Sequence, residues 1–204
     1  MAAGEADVIT AIAAAKEAAA NSAVEKLQAL GEEVGEDEKT YKEAEFKAGA
    51  ALEVVVGLKE GILALGQCNI PPKGETIKAF TALAMLAGHD KADYIDSLTN
   101  KVEWTKLRAL IAEELFEKMS AFDASAWTAE GATEEIKAAV EGLDEAGTPF
   151  SHILPTASNV GAILTFINAS LARVEAYAVF KQKEEEARIA AEEAAAAAAE
   201  AGGE

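Results

Sequence analysis

The sequence contains one cysteine, four prolines, two histidines and two tryptophans in 204 residues, and only 6% of it is aromatic. A lone Cys68 excludes an internal disulfide and fits a reducing compartment. With 50% of residues apolar but so few rings, alanine supplies much of the apolar fraction, which predicts a thin, close-packed core between helices. Basic side chains are scarce too: 18 Lys and Arg face 36 Asp and Glu, for a net charge of -18. A nucleic-acid binder needs a basic footprint to displace counterions, so that class is excluded. The same acidity opposes docking on an anionic membrane and favours protein partners with basic or helical surfaces. No segment alternates as a strand would, and no repeat has a solenoid period.

A basic leader is also missing. Glu5 and Asp7 stand where a secretory or mitochondrial leader would be basic, and Ala2 occupies the myristoylation glycine's place. The expected location is cytoplasmic or cytoskeletal. Residues 148–172 carry no Asp, Glu, Lys or Arg, which is long enough for a membrane span. Pro149, His152, Pro155, Asn159 and Asn168 interrupt that stretch, and the reading is a buried helix, not a span.

Reactive constellations are absent in turn. Gly61 and Gly66 are spaced like a phosphate loop, but Gln67 and Cys68 follow where Lys and Ser or Thr are needed. His89 and His152 are far apart, and neither has a second His or Cys at ligand spacing, so no metal site is expected. The segment from His89 to Asp93 reads as a turn capped by Asp90. Glu32, Glu33, Glu36, Asp37 and Glu38 lack the alternating oxygens, central glycine and closing glutamate of a calcium loop. Cys68 has no nucleophile signature around it and is expected as a small buried or half-buried thiol at a helix end. No catalytic residue, cofactor or small-molecule substrate is therefore expected.

What is present is helix. An Ala-rich helix is predicted over residues 5–30, carrying Val8, Ile9, Ile12, Val24, Leu27 and Leu30, with Gly31 as its cap and an acidic break after Gly35. A second covers 38–65, apolar on two sides. Its Gly49, Gly57 and Gly61 each cost about 1 kcal/mol against Ala, and would be explained by close approach of a neighbouring helix. Residues 75–87 form the next, stopped by Gly88, then a short helix after Asp90 with Tyr94, Ile95 and Leu98. Asn100 and Glu103 have the form of a capping box opening a helix whose stripe is Trp104, Leu107, Ile111, Leu115 and Met119. Residues 133–146 follow, with Ile136, Val140 and Leu143 inward and Gly147 and Pro149 at the end. The last helix opens near Pro155 and shows Val160, Ile163, Leu164, Ile167, Leu171, Val174 and Tyr177 or Ala178 before its stripe thins at Lys181.

The predicted fold is all-α: a compact multi-helix bundle with long N-terminal and C-terminal helical extensions. The expected divisions are an Ala-rich helix over 1–35, a core over 36–180 and a charged Ala/Glu extension over 181–204, either a projecting single helix or a helix waiting for a partner. Trp127, with Phe122 in the same loop, is either a core plug or an interface anchor. Tyr177, Phe180, Lys181, Lys183 and Arg188, at the exit of the last helix, complete the set of interface residues.

Four segments resemble the amino-terminal region of the central-pair projection scaffolds of motile cilia, of the sperm-associated-antigen and PF-six type. They are Phe80-Thr81-Ala82-Leu83-Ala84-Met85-Leu86-Ala87, Val102-Glu103-Trp104-Thr105-Lys106-Leu107, Glu135-Ile136-Lys137-Ala138-Ala139-Val140 and Phe180-Lys181-Gln182-Lys183-Glu184-Glu185-Glu186. The resemblance spans residues 77–188, whereas such scaffolds continue through many more domains. It implies a non-enzymatic structural subunit of a ciliary axoneme, packed among other protein subunits. The alternative, read from the glycines of the second helix, is a helical module that holds an apolar ligand or a partner helix.

Overall fold

The computed structural model describes residues 2–127, 132–143 and 160–202. Among them are seven α-helices: α1 (Ala2–Gly57), α2 (Lys59–Gly66), α3 (Gly74–Leu86), α4 (Trp104–Ala109), α5 (Glu113–Ser120), α6 (Ala132–Val140) and α7 (Val160–Gly202). Single 3-10 turns lie at Lys91–Asp93 and Ala124–Trp127, and the only β pairing among the described residues is one bridge between Ile95 and Val102. The protein is all-α. It divides into two compact units: a terminal pair, Met1–Lys42 with Ala176–Glu204, and a core unit, Glu43–Glu175. This differs from the expected three-part division, because the two ends of the chain belong to one unit.

The expected break between residues 30 and 38 does not exist, since α1 runs through it. Ala23, Leu27, Leu30, Val34, Asp37, Tyr41, Ala44, Ala48, Ala51 and Val55 repeat at steps of four and three, and each is buried or half-buried. That is a heptad seam, and it passes straight across the acidic segment. Gly31 and Gly35 fall off the seam on the exposed face, with nothing near the place a Cβ would occupy. A solvent-facing glycine costs about 1 kcal/mol there but leaves the backbone ladder unbroken.

In the terminal pair, α1 meets α7 antiparallel. Lys26 lies 3.9 Å from Glu193, Lys183 lies 2.9 Å from Glu33, and the Tyr41 and Tyr177 rings are 5.3 Å apart, so α7 numbers fall as α1 numbers rise. The α7 seam is Ala176, Phe180, Lys183, Ala187, Ala190, Ala194 and Ala197, again at steps of four and three. The segment from Lys181 onward, expected to wait for an external partner, is thus packed along the N-terminal helix. The seam is mostly methyl groups, and among the described side chains of this unit only Ala190 is buried, at 5% exposure.

The core unit is packed differently. Phe80 and Leu83 of α3, Ile62 and Leu65 of α2, Leu107 of α4, Ile136 of α6 and Ile163, Leu164 and Ile167 of α7 are almost wholly enclosed. Each such side chain stabilises the fold by about 1.5–3 kcal/mol relative to exposure. Among the described residues one helix, across Val160–Ala199, is long and apolar enough to cross a membrane. Its apolar positions Val160, Ile163, Leu164, Ile167 and Leu171, however, are core residues here.

Local chemistry fixes the ends of these helices. α3 stops because Gly88 adopts φ +73°, letting its N–H reach the Met85 carbonyl at 2.9 Å and the His89 N–H reach that of Ala84 at 3.0 Å. The helix expected after Asp90 is only one 3-10 turn, with the Asp90 N–H donating to Asp93 Oδ2 at 3.1 Å. Asn100 is not the cap of α4. It sits at φ +52° in a turn held by Asp96, whose carboxylate accepts the Leu98 and Thr99 N–H groups at 3.0 and 2.7 Å.

The predicted long helix with the Trp104 stripe is split into α4 and α5 at Leu110–Ala112, although all five stripe residues are buried as expected. Gly66 approaches at this break. A Cβ on it would lie 2.5 Å from the Ile111 carbonyl oxygen and 3.1 Å from Ile111 Cβ. The close approach expected at Gly49 and Gly57 is absent, since a Cβ placed on either would meet nothing within 4 Å, whereas Gly66 shows one. α6 ends earlier than predicted, at Val140, and Gly142 just beyond it adopts φ +73°. Gly147, Pro149, His152 and Pro155 lie outside the described residues.

Candidate interaction surface

The seven expected interface residues fall into two groups. Phe122 and Trp127 belong to the core unit, the first just before the 3-10 turn and the second its last residue, with ring centroids 6.1 Å apart and both half-buried against the core. The Arg173 guanidinium lies 6.0 Å from the Phe122 ring, donates to the Phe122 carbonyl at 3.4 Å and pairs with Glu45 at 2.6 Å. One face of this aromatic pair thus supports internal packing that ties the Phe122 loop to α7 and α1. Asp123, beside it, is held below its ordinary carboxylate value by hydrogen bonds from the Ser125 hydroxyl and N–H.

Tyr177, Phe180, Lys181, Lys183 and Arg188 belong to the terminal pair. The Phe180 ring stacks on Tyr41 at 6.1 Å with 5° between planes, and Tyr177 meets the same ring edge-on at 61°. Lys181 Nζ sits 5.2 Å from the Phe180 ring and pairs with Glu184 at 2.6 Å, which raises its pKa. Lys183 bridges Glu33 of α1 and Glu186 of α7 at 2.9 and 3.2 Å. Arg188 pairs with Glu185 at 2.6 Å and with Glu192 one turn on. Each of these cations is exposed or half-exposed, so solvent screens its pairs and they add little stability. Of these pairs only Lys183–Glu33 joins α7 to α1, the rest lying along α7, and none gives the two helices a core.

The residue missed in the sequence is Ile189, which remains outward on the terminal pair at 44% exposure, while Val24 and Val179, at 48% and 49%, are outward away from the groove it lines. Ile189 lines a groove of about 260 Å³ with Leu30 and Ala190 as further apolar lining and Lys26, Glu186 and Glu193 as its polar members. Heptad spacing alone does not single it out, since Ile189 precedes the seam residue Ala190 by one position and reads as solvent-facing until α1 is known to lie alongside. A second groove, of about 500 Å³ at Val56–Gly61 where α1 gives way to α2, includes the charged Lys59 and Glu60.

The residues weighed for chemistry have structural surroundings. Cys68 is half-buried just past α2; its thiol donates to the Ala64 carbonyl at 3.5 Å, and its own carbonyl accepts the Trp104 indole N–H at 3.1 Å. His89 lies with its ring nitrogens 3.3 and 3.5 Å from Lys118 Nζ and 3.8 Å from Asp93. Burial first, and Lys118 second, lower its pKa below 6.5. Tyr94 is buried with no hydrogen-bond partner for its hydroxyl among the described residues, and burial raises its pKa. Among the described residues no group of three or more His, Cys, Asp or Glu side chains is placed to hold a metal ion.

No family model matches the sequence, and no curated protein matches it as a relative.

Proposed function

We propose that this protein is a non-enzymatic structural subunit that assembles with other proteins. The observation that carries the reading is the contrast inside the terminal pair: two long helices are held in register, yet only Ala190 is buried among its described side chains. Isolated helices are marginal in water unless an amphipathic face is packed, so a pair seamed by alanine gains stability when a further surface covers it. Charge supports a partner of opposite sign. The terminal pair carries 16 acidic and 7 basic side chains in 71 residues, a net -9.

The assembly we have in mind is a motile-cilium axoneme, specifically a projection of its central apparatus, and that placement is carried by the sequence resemblance over residues 77–188. In a ciliated cell a tagged full-length chain is expected in the detergent-resistant axoneme. A chain wholly extracted with the soluble fraction contradicts the ciliary placement, and a chain that also sediments as a free monomer in that extract contradicts the assembly reading.

A further inference from the structure

We infer that the groove at Leu30, Ile189 and Ala190 is the docking surface for a basic amphipathic helix of a partner protein; this rests on the assembly reading and names the partner's chemistry. All of the lining residues lie in the terminal pair. The groove runs beside the seam on the flank marked by Lys26, Glu186 and Glu193. Its apolar lining is graded: Ala190 is buried, Leu30 half-buried and Ile189 open. One turn of a third helix could cover Ile189 and Leu30 together, as helices in multi-stranded coils do.

The rim selects the charge of that helix. Glu193 faces Lys26 at 3.9 Å, too long for a close pair, and both side chains are 66% exposed. Glu186 accepts from Gln182 at 2.9 Å and from Lys183 at 3.2 Å, while Lys183 is shared with Glu33. Farther round α1, outside the groove lining, Glu25, Glu32 and Glu36 are exposed with no ion pair among the described residues and add to the negative field of this unit. A helix flanking its apolar stripe with Lys or Arg would meet this surplus of carboxylates. A second copy of the chain would instead bring another net -9 against it, and like charges across an interface oppose binding.

The probe is a synthetic helix of about three heptads, with a leucine stripe flanked by lysine, titrated against the full chain in about 0.15 M salt. Two controls keep the composition informative: one flanks the same stripe with glutamate, and one keeps the lysines but scatters the leucines. The lysine-flanked helix is expected to bind most tightly. Ile189→Glu is expected to weaken it at least about tenfold, the scale of losing one apolar anchor. Glu186→Lys with Glu193→Lys is expected to weaken it too, and Val24→Glu, on the other flank of the seam, to leave it unchanged. Unaltered binding by both the Ile189 and the Glu186/Glu193 variants overturns the proposal. Equal binding of the scattered-leucine peptide reduces it to bulk charge and overturns it as well, and a dimer of the free chain that Ile189→Glu dissolves assigns the groove to a second copy. If the Ile189→Glu chain is still retained in the axoneme while peptide binding is lost, the groove is not what holds the assembly, and the wider reading stands; if the unaltered chain binds the helix but is never retained, the wider reading fails and the groove stands.

Discussion

The two parts of α7 are one continuous helix with opposite fates. Over residues 160–175 it buries Val160, Gly161, Ile163, Leu164, Phe166, Ile167, Ser170, Leu171 and Val174, whereas over 176–199 it buries Ala190 alone. The local backbone preference is high in both parts, and the second has the better helix formers. What separates them is the size of the side chains aimed at a neighbour. In the core unit large residues close on each other from several helices; in the terminal pair methyl groups and ion pairs set register between two. Charge sharpens the difference, since the core unit has the same net -9 spread over 133 residues that the terminal pair has in 71.

The largest test of this contrast removes one large side chain from each unit. Ile163→Ala in the fully enclosed core is expected to cost about 2–5 kcal/mol, measured by urea denaturation, while Leu30→Ala in the terminal pair is expected to cost under about 1.5 kcal/mol because it is only half-buried. Equal losses would erase the distinction.

Glycine gives a comparison with a change of sign. Gly66→Ala drives a Cβ into the Ile111 backbone and is expected to destabilise the core unit by about 1–3 kcal/mol. Gly31→Ala and Gly35→Ala meet open space in a helix interior and are expected to stabilise, by about 0.5–1 kcal/mol each, seen as a gain in helical ellipticity and melting temperature. A stabilising Gly66→Ala, or a loss at Gly31, would contradict the packing described at those sites.

A smaller effect is read by pH within the core unit. His89 has its folded pKa lowered from 6.5, chiefly by burial and then by Lys118, so the folded state disfavours its protonation. Above 6.5 it has no effect on stability. As pH falls below 6.5 the unfolded chain takes up the proton first, and stability declines until the lowered folded value is passed. Asp96 and Asp123, whose pKa values are lowered from 3.8 by hydrogen bonds from Thr99 and Ser125, contribute stability that is lost only at more acidic pH. His89→Gln is therefore expected to flatten the melting-temperature profile just below pH 6.5 and to leave the acid limb intact. An unchanged profile would remove His89 as the cause.

The large apolar side chains were legible in the sequence, and the small ones were not. Trp104, Leu107, Ile111, Leu115 and Met119 announce their stripe, and the structure buries every one, as it does Val160 to Val174 in α7. The continuity of α1 was hidden because its seam uses Ala23, Asp37 and Ala44, which look like solvent residues when read singly. Two glycines and five acids in a short span resemble a loop, yet heptad register ignores residues that face outward. The split between α4 and α5 had no local signal, because it lies where Gly66, distant in sequence, approaches Ile111. Of the interface residues, the aromatic and basic ones at the exit of α7 stood out by type, while Ile189 becomes visible only once α1 is known to lie alongside.

The central claim, that the terminal pair lacks a core of its own, is tested most directly by amide hydrogen exchange along α1 in the isolated full-length chain, because that one helix enters both units. Amides of residues 21–42 are expected to exchange at least about a hundredfold faster than those of 48–56, as local openings of weakly packed helix do. Uniform protection from one end of α1 to the other would contradict the account.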